Sequence, residues 1–155
     1  MARRSKKNSG LNGPYVCYAA FCEKVLQEKD GVFSLIRIVD RITVTPPPGV
    51  TFEQAGLPAL ALTLAIGLKS GDARGTHQLS IRGRSPAGGD GEVNMNLSAL
   101  FEGDDRGVGL FVTVNLQLKD DGLHWFDVLF EGQRLTSIPL RVLVQQTQLG
   151  TSTAG

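Results

Sequence analysis

From Tyr15 to about Gln145 the chain alternates apolar and polar residues in short runs, and nearly every run closes on Gly, Asp or Pro. Leu60, Leu62, Leu64, Ile66 and Leu68 interleave with Ala61, Thr63, Ala65 and Gly67. Val108, Leu110, Val112, Val114, Leu116 and Leu118 interleave with Gly109, Thr113, Asn115 and Gln117. Successive side chains on a strand point to opposite faces, so a period of two marks a half-buried antiparallel strand. Repeated along the chain, the pattern predicts an all-β fold: a two-layer antiparallel β-sandwich, immunoglobulin-like or C2-like, of about eight strands.

The punctuation between runs sets the expected boundaries. Lys29-Asp30-Gly31 turns a first strand, Tyr15 to Leu26, into a second, Val32 to Val44. Pro46, Pro47 and Pro48 stop that strand, since proline cannot donate to a ladder. Thr51 followed by Gln54 has the spacing of a capping box and predicts one short helical turn. Strands follow at Leu60 to Leu68, Thr76 to Arg84, Val93 to Leu97, Val108 to Leu118 and Leu123 to Phe130, then a last one carrying Ile138, Leu140, Val142 and Val144. Pro139 inside that last strand predicts an edge or a bulge. Residues 1–13 read as a disordered basic tail, 14–147 as a single β-sandwich domain, and 148–155 as a flexible polar tail.

Composition narrows the class. The chain's 155 residues suffice for one core without a disulfide or metal, and 41% hydrophobic with 20% charged residues is ordinary for a globular domain. Sixteen basic against fifteen acidic residues is too balanced for a dedicated nucleic-acid binder. The basic tail, Arg3, Arg4, Lys6 and Lys7, lacks interleaved aromatics, so nucleic-acid binding is not expected of it. Cys17 and Cys22 lie five apart and would face opposite sides of one strand, which predicts free thiols in a reducing compartment. With no apolar signal-peptide region behind the basic start, and no run long enough to span a membrane, the expected location is the cytoplasm.

Tyr15-Val-Cys-Tyr-Ala-Ala-Phe-Cys, Lys29-Asp-Gly-Val-Phe-Ser-Leu-Ile with Asp40-Arg-Ile, and the closing Trp125-Phe-Asp-Val and Ile138-Pro-Leu-Arg-Val resemble a family of small uncharacterised bacterial β-sandwich proteins. The resemblance spans most of residues 15–144 and implies the fold. It brings no catalytic residues, so chemistry has to be argued from the side chains themselves.

Those side chains offer little for catalysis. His77 and His124 are the only histidines, and no Gly-x-Ser-x-Gly elbow is present. Each shares parity with an apolar row near a strand start, the usual place of a rim imidazole bonded to backbone. Asp90, Asp104, Asp105, Asp120 and Asp121 are weak candidates for a calcium site at one loop end. Each group also adjoins a glycine, where aspartate is an ordinary turn residue. Leu123, Trp125 and Leu129 share the face opposite Phe126, Val128 and Phe130, and would form a partner-contact patch if that face meets solvent.

The expected function is a non-enzymatic protein-binding or assembly module, acting through an edge strand, a loop end or the Trp125 face, with a protein partner or a second copy. The alternative is a loop-end ligand- or calcium-binding β-sandwich. An enzyme using His77 or His124 ranks third. No cofactor is expected.

Overall fold

Alternation becomes strand almost everywhere it is predicted. In the computed structural model, which describes residues 12–56 and 59–146, the elements run β1 (Tyr15–Gln27), β2 (Phe33–Val39), β3 (Arg41–Val44), α1 (Phe52–Ala55), β4 (Leu60–Arg84), β5 (Asp90–Leu116), β6 (Gly122–Phe130) and β7 (Gln133–Val144). The helical turn has the capping box read from Thr51 and Gln54: the Thr51 hydroxyl accepts from the Gln54 N–H, and the Gln54 side chain accepts from the Thr51 N–H. Residues 1–11 of the expected basic tail, residue 147 at the end of the expected domain, and all of the expected polar tail 148–155 lie outside the described residues. Asn12 and Gly13, grouped with the tail, lie against β4, where a Cβ at Gly71 would come within 2.6 Å of the Asn12 carbonyl oxygen.

The protein is all-β. Its ladders form one continuous mixed sheet, in the order β2-β1-β4-β6-β7-β3 with β5 on the far side of β4, in place of two separate antiparallel sheets. Seven strands stand where about eight are expected, because two pairs of runs fuse and one run splits. Leu60 to Leu68 and Thr76 to Arg84 are halves of β4, while Val93 to Leu97 and Val108 to Leu116 belong to β5. The Val32 to Val44 run divides at Asp40 into β2 and β3, and β3 pairs with β7 in parallel.

The long β4–β5 hairpin is the spine. Its first half pairs with β1 and its second half with β6 on the same side, while β5 follows the other side throughout. Midway the register slips between Lys69 and Arg74, and Gly71 takes a φ of 58°, a left-handed conformation that glycine adopts without strain. That slip switches the inward parity from Leu62, Leu64, Ile66 and Leu68 to Leu79 and Ile81. Where the ladder is interrupted, side chains satisfy the backbone: Ser70 Oγ donates to the Arg106 carbonyl, Lys69 Nζ to that of Asp105 and Arg74 Nη1 to that of Glu102.

Because the spine bends, its two halves share one core. Phe21, Leu64, Ile66, Leu79, Ile81, Phe101, Phe126, Val128 and Leu140 are all buried in a single cluster. Strands β2 and β3, the two ends of the sheet order, are consecutive in the chain through Asp40 alone, so the sheet wraps until its ends meet. Pro139 sits in β7 beyond the reach of β3, which begins pairing at Arg141, so its missing N–H costs no strand bond there. Among the described residues no helix is long and apolar enough to cross a membrane.

Candidate functional site

On β6, Asp127 interrupts the apolar phrase Trp125-Phe126-Asp127-Val128 and is almost fully buried. A carboxylate there requires partners, because an unpaired buried charge is strongly unfavourable. The register supplies them from both neighbouring strands. Arg84 of β4 lies opposite Trp125, two positions along from Asp127 and on the same face, and Ser137 of β7 lies directly opposite Asp127. Arg84 Nε and Nη2 donate to the two carboxylate oxygens at 2.8 and 2.9 Å, and Ser137 Oγ donates to Oδ1. The Arg84 hydrogen bonds hold the Asp127 carboxyl below its ordinary range, against the opposing pull of burial, with Ser137 adding to the effect. The same guanidinium stands 6.0 Å over the centre of the Trp125 ring, within reach of a cation–π attraction.

Trp125, Leu123 and Leu129 occupy one face of β6 as their parity requires, and all three are half-buried. Their neighbours are more polar than an apolar patch implies: Leu123 lies opposite Arg141, Trp125 opposite Pro139 and Arg84, and Leu129 opposite Arg134 and Ser80.

Arg84 also lines a cavity of about 320 Å³ with Ser85, Asp90, Lys119, Asp120, His124 and Phe126. His124 is buried, and its Nε2 donates to the Asp120 carbonyl at 2.8 Å. Ser85, His124, Asp90 and Asp120 therefore line one cavity, and the hydrogen bond His124 makes there goes to the Asp120 carbonyl.

His77 sits at the opposite end of the second half of β4. Its Nδ1 meets Glu131 at 2.8 Å and its Nε2 meets the Arg74 carbonyl at 2.7 Å. Both partners are acceptors, so both ring nitrogens donate when the ring is an imidazolium. The Glu131 hydrogen bond first, and the Arg74 carbonyl second, raise its pKa above the ordinary 6.5. The ring also touches Phe101 and Phe130.

The five loop aspartates are divided. Asp90 and Asp120 line the cavity and Asp121 lies in the turn before β6, while Asp104 and Asp105 lie at the bend of the spine, where Asp104 pairs with Arg74. Among the described residues no three His, Cys, Asp or Glu side chains converge to hold a metal.

Arg84 and Ser137 carry the ion-pair site, and sequence reasoning did not single them out. The available signal is Asp127 itself, a charge inside an apolar strand. Finding its partners requires the strand order.

Residues 17–143 match the family of unknown function DUF6941. The chain belongs to that family. The stretch matched to DUF6941 starts in β1 and ends in β7, so it contains the Arg84–Asp127–Ser137 cluster, Trp125 and both histidines. No curated protein matches the chain.

Proposed function

We propose that this DUF6941 protein is a non-enzymatic assembly module of the bacterial cytoplasm, and that it associates with a second copy of itself along the free edge of β5. The single observation that carries the reading is the state of the sheet's edges. β2 is blunted by Arg37, whose φ of 53° breaks the extended edge, and β3 is four residues long and soon meets three prolines. β5 is interrupted only at its middle, where Asp104 takes a φ of 55°; beyond that it pairs only with β4 among the described residues, and Gly107 to Leu116 contains no charge, no proline and no positive φ.

The core supports the same edge. Along β5, the inward-facing Val93, Met95, Leu97, Val108, Leu110 and Val112 pack against the core but stay only partly buried. An added strand would cover them and use the unpaired backbone groups. Two copies of one strand, antiparallel about a two-fold axis, satisfy each other without any further partner. Free Cys17 and Cys22 suit a reducing compartment.

The test is oligomeric state by light scattering or sedimentation. The wild-type chain is expected to dimerise, and Leu100→Lys with Thr113→Lys, both at exposed positions, to give a monomer with unchanged circular dichroism. A wild-type chain that stays monomeric at every concentration rejects the reading.

A second reading has one observation in its favour. The Arg84–His124 cavity, about 320 Å³, falls in the size range of small-molecule sites and brings Asp90 and Asp120 to one loop end. A loop-end ligand, calcium included, would raise the melting temperature through linkage. An unmoved melting temperature with calcium removes that ion from the list.

A further inference from the structure

Five of the arginines in the described residues stand on one face. Register and burial together fix which side chains point away from the core in the second half of the sheet. Val142, Leu140, Ile138, Phe126, Val128, Leu79 and Ile81 face inward. Their neighbours, Arg41 on β3, Arg141 on β7 and Arg82 and Arg84 on β4, therefore face outward with Trp125, Pro139 and Asp127. Arg134, opposite the outward Leu129, completes the set, and its charge helps hold the Asp127 carboxyl low. No lysine shares this face, and the other described arginines lie elsewhere, Arg37 and Arg74 paired with Glu23 and Asp104.

Among the described residues only Arg84 of the five makes an ion pair. Asp127 takes Arg84, and Arg82 donates to the Ile81 and Met95 carbonyls and to Asn96, all uncharged. Arg41, Arg134 and Arg141 make no ion pair among the described residues. Arg41 and Arg141 are direct cross-strand neighbours in a parallel ladder and both are exposed. Like charges opposite one another on adjacent strands repel. That arrangement becomes favourable when an anion lies between them, and a planar guanidinium is suited to gripping a carboxylate through two donors.

The geometry points to this face as a docking surface for an extended acidic polypeptide segment, its carboxylates taken by Arg41 and Arg141 and its backbone passing over Trp125 and Pro139. Charge complementarity chooses the occupant. Arg41, Arg82 and Arg141, none of them beside an acidic partner among the described residues, call for a polyanion. A single aromatic gives no succession of stacking platforms for a nucleic-acid strand. An extended peptide presents alternate side chains at about 6.8 Å, the spacing of alternate positions along the sheet itself. The face lies on β3, β7, β6 and β4, away from the free edge of β5, so it holds or fails independently of self-association.

Trp125 is the sole tryptophan, so its emission reports on the face directly. The experiment titrates the full chain with an oligo-glutamate peptide and, separately, with an oligothymidine of equal charge. The peptide is expected to shift Trp125 emission in a salt-sensitive way. Arg41→Glu with Arg141→Glu should bind about tenfold more weakly, as loss of two exposed charge-assisted contacts implies. Both positions are exposed, and the double variant's melting curve checks that the fold is kept. Peptide binding unchanged in that variant, no response at all in the wild type, or tighter binding of the oligothymidine would each overturn the proposal, the last in favour of a nucleic acid.

Discussion

Phe21 and Phe126 meet edge to face, ring centres 4.9 Å apart, although they belong to opposite halves of the sheet. Phe21 pairs beside Leu64 and Phe126 beside Gly83, positions about 60 Å apart on a straight strand. Their contact therefore requires the spine to double back, and it lies at the centre of the shared core.

Truncating either ring should be costly. Phe126→Ala or Phe21→Ala removes a fully buried aromatic and is expected to lower stability by about 3–5 kcal/mol, read from the urea midpoint at unchanged slope. The double variant should lose less than the sum, by about 1 kcal/mol, if the two rings interact directly.

Gly67 lies beneath the ring of Tyr18, where a Cβ would come within 2.2 Å of Cε1. Gly67→Val should destabilise β1 against β4, and Tyr18→Ala placed in the same chain should recover part of the loss. Thermal melts of the three variants decide it; no recovery would mean that the close approach is not what the glycine provides.

The low pKa of Asp127 has a consequence in acid. Because the folded value lies below the unfolded one, the stabilisation is fully present above the ordinary carboxylate range. It is lost as pH falls through the folded value. Urea midpoints should therefore drop steeply on acidification, and Asp127→Asn should flatten that drop while being less stable at neutral pH, with Arg84 left unpaired.

His77 works in the other direction. Its folded pKa lies above 6.5, so its contribution is complete below that value and disappears as pH rises through the folded pKa. Glu131→Gln removes the principal cause and should shift the imidazole titration, followed by NMR, back toward 6.5. A titration unmoved by that substitution would discount the contact.

Most of the strand positions are legible from period two alone, because burial on one face imposes it. The capped turn at Thr51 is legible for the same kind of reason: its hydrogen bonds join residues three apart. Joins between strands are not local. Nothing in Glu102-Gly103-Asp104-Asp105 distinguishes a loop from a strand that bends, because the choice depends on Arg74 and Lys69 reaching across from β4. The Trp125 face was legible as a shared parity, but its arginines come from three strands remote in sequence. Only the sheet order brings Arg41 beside Arg141.

That parallel pair ties positions a hundred residues apart and has a bearing on synthesis. While the chain emerges from the ribosome, β3 has no lateral partner until nearly the whole domain has been made. Closing so long a loop late, through non-local contacts, favours slow folding and leaves the nascent Ile42–Val44 stretch unpaired in the interval.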